Sequence, residues 1–286
     1  MPSRILIFTF VLIGFVVALS LTNFFLSVIP PKFKTKVTPA TYNLGYENVS
    51  FMTSDGLDLK GWFIPNEKSD AVIIVGHGYP FDKANILQAT YFLADEYNLL
   101  LFDFRYFGES GGRYSTGGAK ESKDILAAVE FLENEKGFAK IGAIGFSMGG
   151  AAILMSESKD LKAAVIDSTY ANSDMLFEQL YSMFPGVLKL PFVWLTKFYA
   201  LLFLRINVNE VSPLNSIQEI DAPILLIHGE KDSQIPAKNS QLLYENSNKS
   251  RTELWIVPDA GHGMAFALYP DDYEGKVVEF FDKHLK

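Results

Sequence analysis

Lys140-Ile141-Gly142-Ala143-Ile144-Gly145-Phe146-Ser147-Met148-Gly149-Gly150-Ala151-Ala152-Ile153-Leu154 reads as a strand, a sharp turn and a helix. The apolar run before the turn is short enough for a buried strand, and Ala151 to Met155 favours a helix. Ser147 falls at the junction. Glycines two residues before and two after it let the backbone pass close to its neighbours without a Cβ clash, which lifts the hydroxyl out of the sheet. The helix that follows at once turns unpaired N–H groups toward the same place, so the Met148 N–H can help hold an oxyanion. Alone, Gly-x-Ser-x-Gly is a weak signal, because chance places one in about one of ten chains of this length. Its weight comes from its surroundings.

On either side the chain alternates strand and helix. Two β-like runs, Val49 to Thr53 and Leu57 to Ile64, flank Ser54-Asp55-Gly56 and predict a hairpin. Ala71 to Val75 and Leu99 to Phe104 are apolar strands, separated by a helix expected from about Asp82 to Glu96. A further helix is expected at about Gly118 to Glu135, with Ile125, Val129 and Leu132 on its inner face. Beyond Ser147 come Ala163 to Ile166, Ile224 to Ile227, a helix near Lys238 to Asn246, Leu254 to Val257, and a last helix after Pro270. Near-continuous apolar strands joined by helices predict a mostly parallel sheet covered on both faces. Between Asn172 and Ser212 the rhythm fails for about 40 residues rich in Leu and Phe, too long for a simple connection. That stretch predicts a helical insertion.

A serine needs a base to take its proton, and the base needs a third group to fix its tautomer. Of the four histidines, His262 lies in a loop directly after the strand ending at Val257, where it can reach over the sheet. His77 and His228 each end a strand before Gly and read as loop-shaping residues; His284 reads as a solvated helix position. Asp232, in His228-Gly229-Glu230-Lys231-Asp232, is the candidate acid, because sites in open α/β sheets form at the carboxyl ends of the strands. Asp167, ending an earlier strand, is its rival, and Asp103 reads as a turn-satisfying residue. The loop Gly76-His77-Gly78-Tyr79-Pro80 is placed to supply a second oxyanion donor, the Tyr79 N–H.

Ile5 to Ile29 carries no charged side chain and, at about 1.5 Å per residue, exceeds the roughly 30 Å hydrocarbon thickness of a bilayer. It is expected to be a single-pass N-terminal anchor. A signal peptide cleaved near Ala18-Leu19-Ser20, or a buried core helix, are the alternatives; the apolar run continuing through Phe24-Phe25-Leu26 argues against cleavage. Arg4 before the span, against Lys32, Lys34 and Lys36 after it, leans toward a cytosolic domain without deciding the side. Pro30-Pro31 closes the span, giving an anchor at 1–31, a linker at 32–46 and a domain at 47–286. With a span separate from the core, a chain starting near Lys36 is expected to be soluble and active.

Of 286 residues, 49% are hydrophobic, ample for one large domain. The net charge of -8 argues against a nucleic-acid partner, which needs clustered Lys and Arg. Absence of cysteine excludes disulfides, thiolate metal sites and a cysteine nucleophile.

Taken together these residues resemble the α/β-hydrolase superfamily. The order Ser147, Asp232, His262 matches its order of nucleophile, acid and base, and His77-Gly78, Asp103 to Ser110 and His228 to Asp232 look like its recurrent blocks. The resemblance covers about residues 47 to 286 and is nearest to membrane-anchored bacterial-type serine hydrolases of the esterase and thioesterase kind. One departure is Tyr106, where the family usually has Gly after the Arg. The resemblance implies an α/β-hydrolase fold with a small helical cap at about 173–212, and a serine hydrolase without metal or cofactor. It is expected to cleave a carboxylic ester or thioester through an acyl-enzyme on Ser147, with a small or lipid-like acyl substrate and the membrane as partners. A peptidase or amidase on the same three residues, and a non-catalytic tethered binding domain, are the alternatives. The apolar run from Phe184 to Leu204 is expected to roof Ser147 and to touch an acyl chain through Phe192 and Leu195.

Overall fold

The computed structural model describes residues 2–33, 35–184 and 186–286; Lys34, counted above among the basic residues after the span, lies outside the described residues. Eight strands form one sheet: β1 (Glu47–Met52), β2 (Asp58–Ile64), β3 (Ala71–Gly76), β4 (Asn98–Phe102), β5 (Lys140–Phe146), β6 (Leu161–Asp167), β7 (Ile224–Gly229) and β8 (Thr252–Val257). Their order is β1-β2-β4-β3-β5-β6-β7-β8, antiparallel at β1/β2 and β2/β4 and parallel from β4 to β8.

The period-2 alternation of a strand divides the core between two faces. Val72, Ile74 and Leu100 join one buried cluster; Ile73, Val75, Leu99 and Leu101 join the other. Each such side chain contributes about 1.5–3 kcal/mol when fully buried, so a register slip by one residue would reverse two full faces.

The hairpin forms about Gly56, whose φ of 80° suits glycine. Its tip is held from afar. The Arg105 guanidinium donates to Asp55 at 2.8 and 3.1 Å and to Asp124 at 2.6 and 3.0 Å, tying the turn to the helix α3 (Ser122–Asn134). Here and below, helices are α1 (Pro2–Val28), α2 (Lys83–Leu87), α3, α4 (Met148–Ser156), α5 (Ser173–Leu180), α6 (Leu190–Tyr199), α7 (Pro213–Ser216), α8 (Lys238–Asn246), α9 (Ala265–Leu268) and α10 (Pro270–Leu285).

Where one helix was expected from Asp82 to Glu96, two short pieces occur: α2, capped by Asp82 accepting from the Ala84 and Asn85 N–H groups, and a 3-10 turn at Tyr91–Asp95. Thr90 breaks the run. Its hydroxyl bonds back to the Ile86 carbonyl at 3.0 Å, and its φ of -137° lies outside the helical range.

The insertion is helical: α5, a short 3-10 turn, α6, and a π-helical continuation over Ala200–Leu204. Helix α1 is not separate from the domain, contrary to expectation. Residues 4–15 are exposed, but Phe24 and Val28 are buried in one cluster with Tyr199, Ala200, Leu204 and Val208 of the insertion, and Ser20 is buried against the Tyr199 hydroxyl. The physical reason is that the insertion presents an apolar flank that its own short helices leave uncovered, and the end of α1 covers it. The chain after α1 also stays on the domain: Tyr106 donates to the Pro30 carbonyl, Thr35 bonds to Asp82, and Tyr42 stacks on Tyr91 at 4.6 Å.

Candidate active site

Ser147 sits between β5 and α4 with φ 51° and ψ -113°, a conformation costing about 1–3 kcal/mol outside glycine. Two hydrogen bonds hold it there: its N–H donates to the Asp167 carbonyl at 2.8 Å, and Thr169 Oγ1 donates to its carbonyl at 2.8 Å. The flanking glycines are needed for close approach. A Cβ on Gly145 would lie 2.6 Å from Gly149 backbone, and one on Gly149 would lie 2.4 Å from the Gly76 carbonyl oxygen.

From β8, the loop after Val257 brings His262 across the carboxyl end of the sheet. His262 Nε2 lies 3.1 Å from Ser147 Oγ, and His262 Nδ1 lies 2.6 Å from Asp232 Oδ2. If Nδ1 donates to the carboxylate, Nε2 is free to accept from the serine. The other oxygen of Asp232 accepts from the Gln234 and Ile235 N–H groups at 2.9 and 2.8 Å. Burial alone would raise the Asp232 carboxyl, but bonds from His228, His262 and the Ile235 backbone outweigh it and hold it well below the ordinary carboxylate range. It is the ionised partner of the pair.

Asp167 is not brought to the base. Its oxygens accept from Ser168 Oγ at 2.8 Å and Tyr273 Oη at 3.0 Å, and full burial pushes its carboxyl upward despite those bonds. Asp103 accepts from the Lys83 and Glu109 backbone N–H groups and from Lys83 Nζ, which closes the turn beside Arg105.

His77 is a shaping residue. Its Nδ1 donates to the Gly78 carbonyl at 2.9 Å, its Nε2 accepts from the Phe104 N–H at 3.0 Å, and burial pushes its pKa down, keeping it neutral. These bonds fix the loop that carries Tyr79. A Cβ on Gly78 would lie 3.4 Å from Ser147 Cβ, so the loop backbone runs beside the serine; Met148 opens α4 directly after it.

Three features escaped sequence reasoning. His228 does more than shape a loop: its Nε2 donates to the Ile235 carbonyl at 2.6 Å and stands 3.3 Å from Asp232 Oδ2, while its Nδ1 meets Ser240 Oγ at 2.6 Å. Only the buried position of a histidine four residues before the acid hinted at it. Gly263, at φ 64°, packs so tightly on Phe146 that a Cβ would lie 2.1 Å from the ring, which sets the approach of His262. The third is a cavity of about 260 Å³ walled by Gly78, Phe81, Ile86, Ala89, Phe146 and Phe266 among others; Phe146 and Gly263, the chain neighbours of Ser147 and His262, are in its wall, while Ser147 and His262 themselves are not.

No residue of 173–212 among those described lines that cavity. Phe192 instead stacks on Phe184 at 4.6 Å inside the cap, and Leu195 packs on the cluster at the end of α1. The cap reaches the site elsewhere, through Gln179 Nε2 donating to the Ser233 carbonyl at 2.5 Å, next to the acid.

A doubly covered, mostly parallel sheet with a serine at the turn after its central strand defines the class: this is a hydrolase of the α/β-hydrolase fold. Residues 109–286 match the model of the prolyl oligopeptidase family, and the chain belongs to that family. Among relatives, the uncharacterized protein YqkD of Bacillus subtilis is 30% identical over 239 residues, covering 79% of this chain and 76% of that protein. The uncharacterized protein YfhR of Escherichia coli K12 is 29% identical over 245 residues, covering 82% and 80%. Among solved structures, the Pyrococcus furiosus esterase Pf2001 is 31% identical, with 91% of this chain and 99% of that one covered and a TM-score of 0.76.

Proposed function

We propose that the chain is a serine esterase or thioesterase held to a membrane by α1. The observation that carries the reading is the line from Ser147 Oγ through His262 to Asp232, at 3.1 and 2.6 Å. His262 takes the Ser147 proton as Oγ attacks the acyl carbon; the Met148 and Tyr79 N–H groups receive the negative charge on the carbonyl oxygen. Asp232 keeps the imidazolium oriented. His262 then returns its proton to the departing alcohol or thiol, and a water activated by the same base hydrolyses the acyl-enzyme.

The cavity supports a modest acyl group. At about 260 Å³ it falls just under the roughly 300–1,000 Å³ of sites for drug-sized ligands, and its wall is mainly apolar. Helix α1 supports the membrane reading by length and composition, Arg4–Val28 having a mean hydropathy of 2.7.

Membership of the prolyl oligopeptidase family favours a second reading, a peptidase or amidase on the same residues. The test is turnover of nitrophenyl acyl esters and of the matching acyl nitroanilides by the full chain and by Ser147→Ala. Ester cleavage lost by about a thousandfold or more in the variant, which also escapes fluorophosphonate labelling, is the expected result. Equal turnover in the variant would sink the mechanism, and faster anilide than ester cleavage would favour the peptidase.

A further inference from the structure

The insertion carries an apolar stripe on its outer side. Val187, Leu190, Trp194, Phe198 and Leu201 recur at three- and four-residue spacing and are all exposed, Trp194 at 65%. The charged residues of the same segment point the other way, with Lys189 bonded to Glu178 at 3.0 Å and Lys197 to Asp174 at 2.5 Å on α5. A helix of a soluble domain keeps its apolar residues inward and its charges outward, whereas α6 is apolar both on its buried side, at Phe192 and Tyr199, and on its exposed one.

The stripe is continuous with α1. Phe25 and Phe203, each partly exposed, meet at 5.4 Å, and Phe24 lies 5.6 Å from Tyr199, whose hydroxyl meets Ser20 Oγ at 3.3 Å. Length then decides what covers it. Among the residues of α1 whose burial is described, 4–15 form the continuous exposed run, and twelve residues rise about 18 Å, short of the roughly 30 Å of hydrocarbon. To cross, α1 must use the next two to three turns as well, and those carry Ser20, which meets Tyr199, and Phe24 and Phe25, which pack on Tyr199 and Phe203.

We propose that the outer face of α6 and its π-helical continuation is immersed in the same bilayer that α1 spans, so that the cap is a membrane-embedded element that holds the domain against the lipid surface. This rests on the reading of α1 as an anchor. The aromatic residues Trp194 and Phe198, stacked at 5.8 Å, suit the boundary between headgroups and acyl chains.

The chain supplies its own probe. It has three tryptophans and none in α1: Trp62 is buried, Trp255 is partly buried against α10, and Trp194 is exposed. The full chain is reconstituted into phosphatidylcholine vesicles with or without bromine on the acyl chains, and insertion of α1 is scored separately by resistance to alkaline carbonate extraction. The expected result is carbonate resistance with quenching of part of the tryptophan emission, and loss of that quenchable part in Trp194→Phe, a variant that keeps the fold. Carbonate-resistant protein whose Trp194 is not quenched overturns the proposal. If Trp194 emission then shifts to the blue with protein density in the vesicle, a second copy covers the stripe instead. Extraction by carbonate overturns the anchor and this inference together. Hydrolysis is not read in any arm, so failure of the esterase reading is a separate result.

Discussion

Asp232 Oδ2 receives His262 Nδ1 at 2.6 Å and also stands 3.3 Å from His228 Nε2, so one carboxylate oxygen lies between two imidazoles, one from the end of β7 and one from the loop after β8. The second imidazole is itself fixed, by Ser240 and by the Ile235 carbonyl, and holds the Asp232 carboxylate against His262. Rigid support of this kind keeps a catalytic hydrogen bond short without loss of side-chain freedom at each turnover.

The two candidate acids separate on this geometry. Asp232→Asn should lower kcat for a nitrophenyl ester by about 10⁴-fold with little change in KM, since the amide favours the wrong histidine tautomer. Asp167→Asn, whose side chain meets Ser168 and Tyr273 rather than His262, should change kcat far less. Steady-state kinetics on both variants check this; the reverse ranking would move the acid to β6.

Chain-length selectivity should follow the cavity rather than the cap. Each buried CH₂ contributes about 0.8 kcal/mol, close to fourfold in kcat/KM, so activity should climb with acyl length and level off once the cavity is filled. Ala89→Trp, which fills the wall formed by α2 and the turn after it, should move the plateau to shorter chains while sparing an acetyl ester. A nitrophenyl ester series measured on both proteins tests this, and an unchanged profile would place the acyl group elsewhere.

Removal of α1 should cost stability. A chain beginning at Lys36 uncovers Tyr199, Leu204 and Val208 and loses the bond from Tyr106 to Pro30. Loss of the Phe24 and Val28 burial, at about 1.5–3 kcal/mol each, predicts a Tm lower by about 5–10 °C and activity that needs detergent. Circular dichroism melts and ester turnover with and without detergent measure both. A truncated chain with the full-length Tm would mean that the α1 contacts contribute nothing.

Tyr106 shows how the departure from the family pattern is accommodated. Its φ of 75° explains why glycine is favoured there, and the tyrosine that replaces it reaches the end of α1 and lies under Lys32 at 5.0 Å. Local strain is offset by contacts to the segment that follows α1.

By itself the sequence determined the strand-turn-helix at Ser147, the strand and helix order and the two loops that carry Asp232 and His262, because each is a matter of short-range spacing. Glycines two apart from a serine, alternating apolar runs and a histidine just past a strand end mean the same thing wherever the rest of the chain lies. The tertiary structure alone decided the rest. Ser20 and Tyr199 are 179 residues apart, and His228 supports Asp232 only because Ser240 and Ile235 fold back over it. Periodicity in 184–204 shows which residues share a face of a helix, but not which face is covered; α1 took the flank with Tyr199 and Leu204, and left Trp194 outside. The cavity walls come from the loop after β3, from α2, from the ends of β5 and β6 and from α9 and α10, which no pattern joins, since packing depends on where the backbones approach in space and not on their separation along the chain.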